Sequence, residues 1–377
     1  MKIAINTILL LSPLTGVGNY AYQIAKTLRE IDRTHEYTYF QGYYSSHLIP
    51  PGENLRTFYH LKEMVRKIPL LGTAARNLRD FGNYFSSRQF DLYFEPNFIP
   101  INIPARHIIV TIPDFSFALF PEWHSRDRVR YFQKHFWQKI KKAERIIVIS
   151  DFIRNEAIQR FRLPEERLTT IHLGVDREVF KKYDPQDLWP IKQKYHLPEN
   201  FILFVGSIEP RKNLMNLLRA YLDLEESIRR EVKLVLVGFK GWKNEAIASL
   251  IKKLKSDVFY LGYVPEAELG KIYNLAQLFV YPSLYEGFGL PPLEAMACGC
   301  PVVVSNAASL PEVCGDAAFY VNPQDIQSIT AGIFQCLTNS GLRESLRNKG
   351  FQRAQLFSWP KSAQNHLKVF EEVFGNL

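Results

Sequence analysis

The chain has no run near the ~18 consecutive apolar residues that cross a bilayer. No basic stretch leading into a long apolar one opens it; Met1 to Asn6 reads as a strand. The expectation is a soluble, cytoplasmic protein, with peripheral contact at the inner face of the membrane as a further reading. Cysteine is scarce, four in 377 residues, all in the C-terminal half. Cys298 and Cys300 form C-x-C, not C-x-x-C, and no second close pair exists, so no zinc site is expected. Buried thiols in a reducing compartment are the simpler reading. No Asp-x-Asp pair stands where it would suggest a bound metal, and the basic residues form no known nucleic-acid motif.

What is present is an ordinary globular composition, 46% hydrophobic and 23% charged, which excludes a fibre or a disordered tail. The length suits two domains of ~100–200 residues. The net charge is +9, and residues 1–180 carry +7 of it, with 25 Lys and Arg against 18 Asp and Glu. A basic half implies an anionic partner, whether acidic lipid, phosphorylated substrate or nucleic acid.

Short apolar strands alternate with helical stretches along the chain. Strands are expected at Ile3–Asn6, Tyr37–Phe40, Leu92–Phe94, Ile108–Ile112 and Ile146–Ser150, then at Phe201–Val205, Leu234–Val237, Val258–Leu261, Leu278–Tyr281 and Pro301–Val304. Helices are expected at Asn19–Leu28, Asp151–Phe161, Leu214–Leu222 and Glu245–Leu254. Continuously apolar runs such as Ile146–Ile149 are what a strand buried on both faces requires. The class is α/β: two doubly wound, Rossmann-like parallel sheets in tandem, facing a cleft. The boundaries fall at 1–180 and 181–359, with a final helix, 360–377, crossing back onto the first domain. Val175 to Asn200, with Pro185, Pro190 and Pro198, reads as the connection.

Ligands in open α/β sheets bind beyond the carboxyl ends of strands, so the loops there hold the candidates. Gly16-Val17-Gly18-Asn19-Tyr20-Ala21 fits G-x-G-x-x-A, with Glu36 as the ribose acid of a dinucleotide reading. About nine residues separate Asn6 from Gly16, too many for that tight turn. A glycine loop at a helix N-terminus, open to an anion, fits better, and a merely permissive turn stays open. Ser207 to Asn213 follows a strand, and Arg211 and Lys212 there suit a diphosphate; a solvated charge pair is the alternative. Glu286 and Glu294 stand eight positions apart around Gly287 and Gly289. Two carboxylates so placed can hold two polyol groups of one ligand. Asp114, ending another strand, either orients an acceptor, stabilises positive charge or caps the next turn.

With these segments in place the chain resembles glycosyltransferase family 4, the retaining, metal-independent class with the GT-B fold, over nearly its whole length. The most specific piece is E-x7-E, Glu286 through Glu294, followed by Ala295–Val303. Gly206–Asn213, Leu261–Pro265 and Ile149–Phe152 also match. Glu209-Pro210-Arg211-Lys212-Asn213 and Pro121-Glu122-Trp123-His124 make it most similar to bacterial mannosyltransferases that use GDP-mannose to build polysaccharide.

The resemblance implies that Glu286 and the backbone of Phe288, Gly289 and Leu290 hold the donor sugar and that Glu294 holds the ribose. It implies Arg211 and Lys212 on the diphosphate, approached by Gly16 and Gly18, and Tyr263 and Val264 bordering the base through backbone. Asp114, Glu286, Arg211 and Lys212 would form the catalytic set, with no metal and no cofactor. Two departures stand out: Pro113 occupies a position where many relatives carry His, and Ser207 one where many carry Arg. Ser207 stays in the donor loop, and the phosphate load shifts to Arg211 and Lys212. The expected partners are a nucleotide sugar and a saccharide or lipid-linked acceptor. The segment Lys62–Arg79 and the basic, aromatic stretch Arg126–Arg145 suit an anionic membrane or an ordinary solvated face. Rival readings are a UDP-sugar donor, an epimerase or phosphorylase on the same fold, and a degenerate sugar-nucleotide or membrane-binding module, which Pro113 keeps open.

Overall fold

A computed structural model describes residues 1–11, 16–50, 88–239 and 245–375; the expected membrane segment Lys62–Arg79 lies outside them. The chain divides into two units, Met1–Leu173 with Trp359–Leu377, and Gly174–Ser358.

In the first unit the strands are β1 Lys2–Asn6, β2 Glu36–Phe40, β3 Tyr44–Ser45, β4 Phe90–Glu95, β5 Ala105–Ile112, β6 Arg145–Val148 and β7 Leu168–Thr170. They order as β3-β2-β1-β4-β5-β6-β7. All described neighbours are parallel except β2 and β3. The order reverses between β1 and β4, and there Asn6 Nδ2 donates to Glu95 Oε2 at 2.7 Å, as does Tyr93 OH at 2.6 Å. The helix Gly16–Ile31 buries Tyr20, Ala21, Ile24, Ala25 and Leu28, a 3.6-residue stripe. The final helix, Trp359–Gly375, packs on it and on β4 and β5. A buried polar contact joins them. His366 Nδ1 lies 2.8 Å from the Ser362 carbonyl, which can only accept, so Nε2 must accept from Tyr20 OH at 2.7 Å. Tyr20 OH also pairs with Thr111 Oγ1 at 2.8 Å. Burial holds His366 down at about 4, so the ring is neutral.

The second unit contains β8 Asn200–Val205, β9 Val232–Val237, β10 Val258–Gly262, β11 Leu278–Tyr281, β12 Val302–Ser305 and β13 Ala318–Val321. The order β10-β9-β8-β11-β12-β13 is wholly parallel, with its first strand central and the reversal between β8 and β11. That is the doubly wound nucleotide-binding arrangement, whose ligand crevice opens where the order reverses. β8, β11 and β12 are buried nearly throughout, as two helical layers require.

Three expectations need correction. The unit boundary falls at Leu173/Gly174, not at 180, because the following segment docks on the second unit. Tyr183 N donates to Asn274 Oδ1 at 3.0 Å, and the Phe180 ring meets Tyr273 edge-on at 6.0 Å. The proline-rich connection holds a helix, Pro185–Lys194, with Pro185 in its first turn, where a missing N–H costs nothing, and Pro190 inside it. Gly16 and Gly18 lie in the first turn of their helix rather than in a loop before it.

Candidate active site

The loops after β8 and β11, flanking the reversal of the second sheet, carry the charged candidates. After β8 the chain makes a short 3-10 turn, Pro210–Lys212, ended by Asn213 at φ 59°. Asn tolerates the left-handed region, and its Nδ2 ties the loop to the carbonyls of Pro282 and Pro323 at 3.0 and 2.7 Å. Leu284 N donates to the Arg211 carbonyl at 2.8 Å. The two loops are thus one hydrogen-bonded body.

The structure brings Arg211, Lys212 and Glu286 together. Arg211 Nη1 donates to Glu286 Oε2 at 2.9 Å, and Lys212 Nζ donates to Glu286 Oε1 at 2.6 Å. Tyr281 OH at 2.9 Å and Ser283 Oγ at 2.6 Å also reach Oε1, and Lys212 donates to Tyr281 OH. Arg211 Nε donates to Glu209 Oε1 at 2.8 Å. Burial works against ionising Glu286, but the charges of Lys212 and Arg211 overcome it and hold the carboxyl at about 2. Burial, then the neighbouring Arg211, pulls Lys212 below its ordinary value against the pull of Glu286. The four charges, two cations and two carboxylates, sum to zero, so the cluster is a neutralised and positioned set rather than a bare cationic patch. Glu209, Tyr281 and Ser283 went unseen as members, although Glu209 lies within the quoted Glu-Pro-Arg-Lys-Asn stretch. Nothing in the spacing marks which acid faces which base.

Glu286 leads into Gly287-Phe288-Gly289 and the helix Leu290–Ala297. Gly289 has φ +114°, and a Cβ there would stand 2.6 Å from Leu310 Cδ2. Ser309 Oγ lies within 2.9 Å of the carbonyls of Glu286 and Phe288, locking the turn from behind. Pro291 and Pro292 have no N–H, so Leu290 begins a helix end with few competing donors.

Glu294 lies one turn into that helix, buried, with Tyr273 OH donating to its Oε2 at 3.1 Å. Burial and the charge of Glu266 push its carboxyl up to about 8, against the Tyr273 bond. The unfolded side chain loses its proton near 4.5, whereas the folded one keeps it to about 8, so stability falls as pH rises through that window. Glu294→Gln cannot ionise. Its Tm advantage over the unsubstituted protein is expected to grow by ~2 °C or more between pH 5 and pH 9 in thermal scans; a difference constant with pH would show that Glu294 does not titrate there.

Ser207 is half-buried in the loop after β8. Val264 is buried, but the Tyr263 ring is 54% exposed and stacks on Phe239 at 4.7 Å and 19°. Phe239 is a neighbour the sequence reading missed. Asp114 follows β5 in the first unit, where Gly16 and Gly18 also lie. In the stretch Arg126–Arg145, Phe132 and Phe136 turn inward onto Phe117, at 4.2 and 4.8 Å between rings, so the outer face is basic rather than aromatic.

Two family models match the chain: Glycosyltransferase Family 4 over residues 14–179, and Glycosyl transferases group 1 over residues 186–353. The O-antigen chain mannosyltransferase B of Escherichia coli is 36% identical, across 98% of this chain and 100% of that protein. A serotype-specific mannosyltransferase, WbdA, also of Escherichia coli, is 35% identical over 65% of this chain and 31% of its own length. Among solved structures, Anabaena HepE in complex with UDP-glucose superposes with a TM-score of 0.72 at 19% identity, covering 99% of this chain and 100% of that one, a likeness of fold.

Proposed function

The chain belongs to glycosyltransferase family 4, and on that premise we propose that it moves mannose from GDP-mannose, with retention of configuration, onto a saccharide or lipid-linked acceptor during polysaccharide synthesis. The observation that carries this reading is the Arg211–Glu286–Lys212 cluster at the carboxyl ends of β8 and β11, where the sheet order reverses. Sugar transfer breaks the bond between the anomeric carbon and the leaving phosphate, so negative charge grows on the diphosphate. Lys212 has given two of its three N–H donors to Tyr281 and Glu286, and the third suits a phosphate oxygen. Arg211 and the helix start at Leu290 add positive potential, so the reading needs no metal. Glu294, neutral at pH 7, can both accept from and donate to ribose hydroxyls. The Phe288, Gly289 and Leu290 backbone and Glu286 Oε2 take the mannose hydroxyls. Tyr263, Val264 and the Phe239 ring border the base, and Ser207 lies along the phosphate loop. Asp114 is assigned to the acceptor. Attack on the face the phosphate leaves, with a leaving-group oxygen taking the acceptor proton, retains configuration.

Pro113, without a polar side chain at the strand end before Asp114, favours one other reading, a module that binds sugar nucleotides without turning them over. A thermal-shift panel without added metal separates the cases. Stabilisation by GDP and GDP-mannose alone supports the proposal. Stabilisation by UDP, UDP-glucose, UDP-galactose or UDP-N-acetylglucosamine replaces the donor, and binding of GDP-mannose without any transfer supports the module.

Membrane contact belongs to the same proposal. Arg126, Arg128, Arg130 and Lys134 stand exposed along one helix, Arg126–Ile140. Liposomes containing acidic lipid are expected to sediment the protein at low salt and release it at about 0.5 M salt. Sedimentation indifferent to salt, or none, counts against it.

A further inference from the structure

The segment Pro121-Glu122-Trp123-His124 has no part in the function so far. The turn Pro121–Trp123 stacks Trp123 on Phe120 at 4.1 Å between rings and delivers His124 to the protein interior, 7% exposed. There it meets Ser116, itself buried beside Asp114.

The proton directions follow from chemistry. Asp114 Oδ1 accepts from the Ser116 backbone N–H at 2.9 Å and from the Ser116 hydroxyl at 2.7 Å. A hydroxyl has one proton, and the carboxylate takes it. Toward His124 Nε2, at 3.0 Å, the Ser116 oxygen must therefore accept, so His124 carries a proton on Nε2. The relay runs His124 Nε2–H to Ser116 Oγ–H to Asp114 Oδ1. Asp114 Oδ2 takes no hydrogen bond from any described residue.

We infer that His124, acting through Ser116, is the positioning residue of the Asp114 carboxylate, pinning Oδ1 so that Oδ2 is held to accept from an acceptor hydroxyl beside the attacking one, whose own proton goes to the leaving-group oxygen. Without the Nε2–H the Ser116 hydroxyl is released to turn, and the carboxylate keeps only the backbone N–H. Small losses of orientation in a bound acceptor are costly in rate. The inference rests on assigning Asp114 to the acceptor.

Transfer from GDP-mannose to octyl glycosides ending in mannose, glucose, galactose or N-acetylglucosamine tests it in Ser116→Ala, His124→Phe and His124→Gln. Ser116→Ala and His124→Phe are expected to lower kcat/KM for the acceptor by ~10-fold or more. The donor KM and the Tm shift induced by GDP should stay unchanged. His124→Gln, whose amide N–H can replace Nε2–H, should recover to within ~3-fold, which a purely packing role would not produce. Should His124→Phe fail to fold, Ser116→Ala, the smaller change, decides. Full acceptor kcat/KM in Ser116→Ala, or His124→Gln as impaired as His124→Phe, overturns the inference alone. An unsubstituted protein that transfers no sugar from any nucleotide donor overturns the functional reading, and this inference with it.

Discussion

Lys212→Ala is expected to cut mannosyl transfer by at least ~10²-fold, the scale set by removing one preorganised electrostatic contact. Lys212 is buried between Tyr281 and Glu286, and the proposed mechanism gives its third donor to the leaving diphosphate. Its loss also leaves Glu286 buried with one cation fewer, and breaking a buried pair costs about 3–5 kcal/mol. Activity and stability must therefore be read separately. Rates should be measured on the folded fraction at saturating donor, beside thermal scans. Glu286→Gln is the companion, because it keeps the shape and removes the charge that positions Arg211 and Lys212. With the Glu286 carboxyl held at about 2, its stabilising part is full above the ordinary value of 4.5 and is lost progressively as pH falls from there to about 2. Turnover within ~3-fold of normal in both variants would sink the site assignment.

Gly238→Ala is expected to damage the fold and the donor site together. Gly238 sits just past β9 at φ +143°, and a Cβ there would stand 2.0 Å from the Gly206 carbonyl oxygen and 2.6 Å from its carbon. Those are backbone atoms of a strand end fixed on both sides. Gly206 N donates to the Val237 carbonyl at 2.9 Å, and Ile208 N to the Phe239 carbonyl at 3.0 Å. Relief requires the loop after β8 to move, and that loop carries Arg211 and Lys212. A loss of ~3 kcal/mol or more is expected, lowering Tm by ~6–12 °C, together with loss of the GDP-mannose-induced shift. A Tm within ~2 °C of normal, with donor binding intact, would show that the close approach is not maintained in solution.

The central strands were readable because burial on both faces demands unbroken apolar runs, as in Phe201–Val205 and Leu278–Tyr281. β7 and β13 were missed because Leu168–Thr170 and Ala318–Val321 are three and four residues long and only partly buried. The helix Pro185–Lys194 was hidden by its prolines, since their local preference argues for a break while packing on the helix Glu266–Leu275 overrides it. At the site, residue types and offsets named Arg211, Lys212, Glu286 and Glu294, but not their pairing. That Glu286 meets Arg211 and Lys212, 75 and 74 positions away, depends on strand order, which sets β8 beside β11. The neutrality of the cluster depends on the same pairing and could not be foreseen. The relay behind Asp114 was equally invisible, because His124 is placed by a turn eight residues beyond Ser116.

The most direct test of the account is the anomeric configuration of the product. GDP-mannose labelled with carbon-13 at the anomeric position is incubated with the protein, the octyl glycoside panel and EDTA, and the product is examined by NMR. An α-mannoside, formed as fast with the chelator as without it, is the predicted result, since the proposed donor is α-linked and the proposed mechanism has the charges of Arg211 and Lys212 stand in for a metal. A β-mannoside, or a glycoside formed from a UDP-sugar and none from GDP-mannose, would contradict it.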